Sequence, residues 1–92
     1  MIIKLFSLIK LDLKKSKIEY KLDKDITILD MIQYLDSQYD GYFSKKLIEN
    51  DTTIKTGTII LVNGKNILHI DGLSSIVSNN DVLSVFPPSA GG

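Results

Sequence analysis

Apolar and polar residues change their spacing several times along this chain, and each change marks an element. Residues 1–9 read MIIKLFSLI, a run suited to a pleated strand. Alternation puts Ile3 and Leu5 on one face and Ile2, Phe6 and Leu8 on the other, with Lys4 among them. Both faces are largely apolar, as in a strand covered on both sides. LDLKKS then reads as a loop. In KIEYKL, Ile18, Tyr20 and Leu22 alternate with Lys17, Glu19 and Lys21, the period of a half-buried strand. Two strands joined by a short loop predict an antiparallel hairpin.

The period then lengthens. In TILDMIQYLDSQYDG, Ile28, Ile32, Leu35 and Tyr39 fall on one helical stripe. Thr27 suits the N-cap, and Asp30, three residues on, completes a capping box and complements the helix dipole. Gly41 stands where a left-handed C-cap is expected, so the spacing predicts a helix over 27–39. Residues 42–58 carry apolar anchors at Phe43, Leu47, Ile48 and Ile54, with turn signals at Asn50-Asp51 and Thr56-Gly57. A short helical turn and a brief strand are expected there.

Ile59 to Val62 form an unbroken apolar run, which predicts a strand buried on both faces. Asn63-Gly64 fits a type I′ hairpin turn, with a second extended piece after it. DGLSSIVSNND reads as a turn, anchors at Leu73 and Ile76, and another turn. VLSVF is the last strand, with Leu83 and Val85 on one side and Val82, Ser84 and Phe86 on the other. The predicted body, residues 1–86, is an α+β domain: one helix across one face of a mixed sheet of about four to five strands. No second helix is evident to cover the other face. Phe6, Leu8 and Phe86 are therefore candidates for a partner surface, or for packing under the loops at 9–16 and 40–58.

Composition narrows the chemistry. The 92 residues suit one domain with 43% hydrophobic content, as in ordinary soluble globular proteins. Cysteine is absent and histidine occurs once, which excludes disulfides, thiolate chemistry on this chain and a multi-histidine metal cage. Eleven lysines balance eleven acids, so no basic field points to nucleic acid. The first 25 residues hold seven lysines and four acids, read as a solvated face. Lys4 and Lys10 interrupt the apolar start, and no run approaches the roughly 20 residues of a membrane span. Cytoplasm is the expected location. His69 is read as a surface or structural residue, and Asp30, Asp71 and Asp81 as cap or turn residues. Tyr34, Tyr39, Tyr42 and Phe43 are read as core or partner surface, because no basic stripe accompanies them.

The end of the chain is the unusual part. Pro87 and Pro88 cannot extend a ladder, so a tail should leave the body there. Residues 87–92 reach at most about 20 Å. Ala90, Gly91 and Gly92 make a tip slender enough to thread a narrow channel, with the terminal carboxylate as its reactive group.

The helix-on-sheet order, with LVNGKNI, DGLSSIVSNNDVLSVF and the closing PPSAGG, resembles the ubiquitin-like sulfur carriers. It resembles most closely the MoaD group, the small subunit of molybdopterin synthase, and is similar to the archaeal ubiquitin-like modifiers and Urm1-type proteins. The likeness is specific over 59–92 and looser at the front, where KLF and TILDMIQYL fit the first strand and helix. Asn79-Asn80-Asp81 stands where that family often has Asp-Gly-Asp, and Ser89 where it usually has valine. The resemblance implies a β-grasp fold and chemistry at Gly92. An E1-like adenylyltransferase of the MoeB type would use ATP to adenylylate its carboxylate. A sulfur donor would then displace AMP and leave a thiocarboxylate. Pro87, Pro88, Ser89, Ala90 and Gly91 would thread the partner's channel. A MoaE-type large subunit would carry the catalytic residues, and this chain would be a carrier without a bound cofactor. The alternative destination is a protein modifier or a tRNA-thiolation carrier. A chain without cysteine cannot hold sulfur as a side-chain persulfide, which agrees with a role for its terminus.

Overall fold

The computed structural model describes residues 1–88. Its elements run β1 (Ile2–Leu5), α1 (Ser7–Leu13), β2 (Lys17–Glu19), β3 (Ile26–Thr27), α2 (Ile28–Gln38), α3 (Tyr42–Leu47), β4 (Ile48–Asn50), β5 (Thr53–Ile54), β6 (Ile59–Val62), β7 (Lys65–Asn66), β8 (Ile76–Val77) and β9 (Val82–Phe86), with single 3₁₀ turns at Ile67–His69 and Gly72–Ser74. The main sheet has the order β2-β1-β9-β6-β7. β1 and β9 are parallel, Ile3 opposite Leu83 and Leu5 opposite Val85, and the other neighbours are antiparallel. β3 with β8, and β4 with β5, form two small ladders beside it.

Alternation decides which side of the sheet is core. Ile3, Leu5, Ile60, Leu83 and Val85 are fully buried, and Ile28, Met31, Ile32 and Leu35 of α2 meet them as one cluster. The helix begins where expected: Thr27 accepts from the Asp30 backbone N–H at 3.0 Å, and the Asp30 carboxylate accepts from that of Thr27 at 3.3 Å. Its end differs slightly. Asp40 takes the first left-handed step (φ 53°), Gly41 the second (φ 77°), and the Gly41 N–H reaches back to the Asp36 carbonyl at 3.0 Å. The hairpin turn at Asn63-Gly64 has positive φ at both residues, as the type I′ reading requires. The Asn63 side chain also donates to Asp81 and accepts from the Val82 N–H, both at 2.9 Å. It therefore ties this turn to the start of β9.

Several expectations are corrected. The first strand stops at Leu5, and Phe6 is the extended residue before a second helix, α1. Ile9 and Leu13, four apart, turn one side of α1 toward the core, a spacing masked by the apolar alternation before it. Leu8 is therefore helical, and part of LDLKKS is helix rather than loop. β6 is not covered on both faces: Ile60 and Val62 are buried, while Ile59 is 41% exposed. NILHI does not continue as a strand beyond Asn66, because Ile67 must turn into the core and is fully buried there. Val77, not Ile76, anchors its segment; Ile76 is 57% exposed. Residues 42–58 hold one short helix and a two-stranded ladder, somewhat more than expected.

Thr27→Ala removes one half of the capping box and should cost about 1 kcal/mol in urea unfolding. An unchanged midpoint would show that tertiary packing alone sets the start of α2.

Candidate functional site

The candidate site is where β9 ends. Leu5 stands beside Val85 in the parallel pair, so the next residues, Phe6 and Phe86, are brought side by side. Their rings stack with centroids 4.4 Å apart and planes within 10°. Ile59 lies directly opposite Phe86 in the antiparallel pair, on the same sheet face. The result is an apolar strip, Phe6–Phe86–Ile59, on the side of the sheet away from α2. Phe6 and Phe86 are half-buried. They remain partly open instead of disappearing under loops.

The other border of the exit is built from the stretch between α3 and β6. Leu8, Lys45, Lys46, Lys55, Pro87 and Pro88 line an open groove of about 360 Å³. Gly57 has φ 93°, and a Cβ placed there would meet Pro88 at 3.5 Å. Thr58 is buried, its hydroxyl donating to the Leu47 carbonyl at 3.1 Å and its N–H to the Lys55 carbonyl at 3.0 Å. This turn seats Pro88 against the body. Pro87 is buried and Pro88 half-buried, which corrects the expectation that the tail departs at Pro87. The body holds the chain through both prolines, and Gly57 of the turn at 55–58 lies against Pro88. The expectations for Ser89, Ala90, Gly91 and Gly92 lie outside the described residues.

Leu8, Phe6 and Phe86 are thus brought together at the exit, but on two surfaces: the rings on the sheet face, Leu8 in the groove. The lysines of the groove were not singled out by sequence pattern. Lys45 and Lys46 stand in the last turn of α3, and nothing local reveals that Lys55 folds back to donate to the Lys45 carbonyl at 2.5 Å. Tyr42 hydrogen-bonds Asp12 at 2.5 Å, joining α3 to α1 beside the same groove. Elsewhere, Asp30 and Asp81 serve the cap and turn, and His69 is exposed. Phe43 is core, whereas Tyr34 is 49% exposed with its ring edge-on to Tyr20 at 4.7 Å. Among the described residues no cluster of His, Cys, Asp or Glu is arranged to hold a metal, and no helix is long and apolar enough to cross a membrane.

Comparison with known proteins places the chain. The sequence profile of the ThiS family matches residues 10–92. Small archaeal modifier protein 3 of Haloferax volcanii is 37% identical over 78 residues, covering 85% of this chain and 83% of that protein. The solution structure of the Haloferax volcanii protein HVO 2177 superposes with TM-score 0.80 and 32% identity, covering 99% of this chain and 84% of that one. A Pyrococcus furiosus structure assigned to molybdopterin converting factor subunit 1 has TM-score 0.69 and 19% identity, covering 96% and 95%. These neighbours share the β-grasp, ubiquitin-like fold expected from the sequence.

Burial raises the Tyr20 phenol from 10.0 to about 12. Tyr42 is also raised, first by burial and then by its hydrogen bond to Asp12 and that carboxylate's charge. Both groups bind their protons more tightly folded than unfolded. Their contribution to stability is complete below pH 10 and is lost as pH rises toward 12. Melting temperature followed by circular dichroism should therefore stay level up to about pH 10 and fall above it. Tyr42→Phe should shallow that fall relative to wild type, and parallel curves would contradict the assignment.

Proposed function

The chain belongs to the ThiS family of ubiquitin-like sulfur carriers and modifiers, and from that premise we propose that it works through the carboxyl of Gly92. The supporting observation is the placement of β9. The last strand of the body is central in the sheet and clamped on both sides, and it hands the chain to two seated prolines. In this reading Gly92, four residues beyond Pro88, would reach at most about 14 Å from that anchor.

A free carboxylate is a poor electrophile. In the proposed sequence its oxygen attacks the α-phosphorus of ATP on an E1-like adenylyltransferase, and pyrophosphate leaves. A hydrosulfide-equivalent donor then adds to the carbonyl carbon and AMP departs, leaving a terminal thiocarboxylate. With no side-chain thiol on this chain, no internal cysteine competes for the activated carbonyl. The apolar strip of Phe6, Phe86 and Ile59 provides a surface for the enzyme that takes the tail.

Two destinations follow from the activated terminus. One is sulfur delivery to a MoaE-type large subunit in molybdopterin synthesis, in keeping with the closing FPP and AGG and with the fold shared by the Pyrococcus furiosus protein. The other is conjugation to lysines, which the 37% identity to an archaeal modifier protein favours.

Incubation with the activating enzyme, ATP and a sulfur source should replace one oxygen of the C-terminus by sulfur, read by intact mass. Deleting Gly92 should abolish the exchange while changing unfolding free energy by less than about 0.5 kcal/mol. Unchanged mass in wild type would overturn the proposal. Productive pairing with a MoaE-type subunit would select the first destination, and isopeptide remnants of the tail on cellular lysines the second.

A further inference from the structure

The groove beside the prolines is positively charged, and among the described residues no carboxylate forms an ion pair with its lysines. Its lining contains three lysines and no acid. Among the described residues the sole ion pair is Lys17–Glu19, away from this groove. Lys46 lies 5.7 Å from the centre of the Tyr42 ring, and Lys55 donates to the Lys45 carbonyl. The C-terminal dipole of α3 accounts for a preference for Lys45 and Lys46 in its last turn. Lys55 arrives from beyond β5, donates to the last-turn carbonyl of Lys45, and adds a third cation to the same groove.

The position of the groove limits what meets it. Lys45, Lys46 and Lys55 line the same groove as Pro87 and Pro88, so they stand beside the point from which an enzyme would take the chain. The apolar strip occupies the other border of the exit, so the two surfaces flank the end of β9. We propose that the Lys45–Lys46–Lys55 groove docks an acidic segment of the enzyme that activates the tail. The proposal rests on the carrier reading above and adds to it the electrostatic character of the partner. Charges at this rim steer encounter more than they hold the complex. Their effect therefore falls on KM and on salt dependence, and not on the turnover of bound carrier.

The test is ATP–pyrophosphate exchange by the E1-like adenylyltransferase encoded in the same genome, with this protein as the varied substrate. At about 0.05 M salt, Lys45→Glu/Lys55→Glu should raise KM about tenfold with kcat unchanged, and the gap should close near 0.5 M salt. Lys21→Glu/Lys24→Glu makes the same change in net charge near Met1, at the opposite end of β1, and should leave KM within about twofold. If the glutamate pair lowers the melting temperature, Lys45→Gln/Lys55→Gln is used instead, with a smaller rise in KM expected. Wild-type exchange with an unshifted KM in the groove variant, or an equal shift in the control, overturns the docking groove alone. No exchange with wild type overturns the carrier reading and the groove together.

Discussion

The parallel pairing of β1 with β9 is the constraint on which the rest of the structure depends. It places the first and last strands of the body side by side at the centre of the sheet, with β2 and β6 outside them. Every inward residue of this pair, Ile3, Leu5, Leu83 and Val85, is about 1% exposed or less. Fraying the last strand would therefore open the core itself. The C-terminus is held at its root by the most protected part of the molecule, and Phe6 is carried to Phe86 by the same register.

The surroundings of the exit divide by polarity. The sheet face offers stacked rings and Ile59, which favour removal from water. The α3–β5 side offers ammonium groups, which favour a negatively charged neighbour. Such a surface suits recognition that is oriented by charge and held by apolar contact. Segment 42–58 contributes the groove, the turn that closes on Pro88 and, through Tyr42 and Asp12, a brace to α1. It is the part of the chain that shapes the exit most.

How much of this was legible depended on whether the information was local. The capping box, the stripe of α2, the Asn63-Gly64 turn and the alternation of β9 were readable because each is set by neighbours within a few residues. Helix α1 was missed because SLI continues the alternation of the strand before it. Only the need to bury Ile9 while reversing the chain toward β2 settles its form. Ile59 was read as buried because an apolar run does not say which face is covered. The single long helix lies on one side of the sheet, and α1 does not hide Ile59 on the other.

The sequence by itself determined the fold class, the order of the principal elements and the family, since periodicity, caps and motifs are properties of short segments. Tertiary structure alone decided that β9 lies between β1 and β6, that Pro87 is buried, and that Lys55 joins Lys45 and Lys46. Those facts rest on contacts between residues far apart in the chain, where packing a shared core, and not local preference, chooses the neighbours.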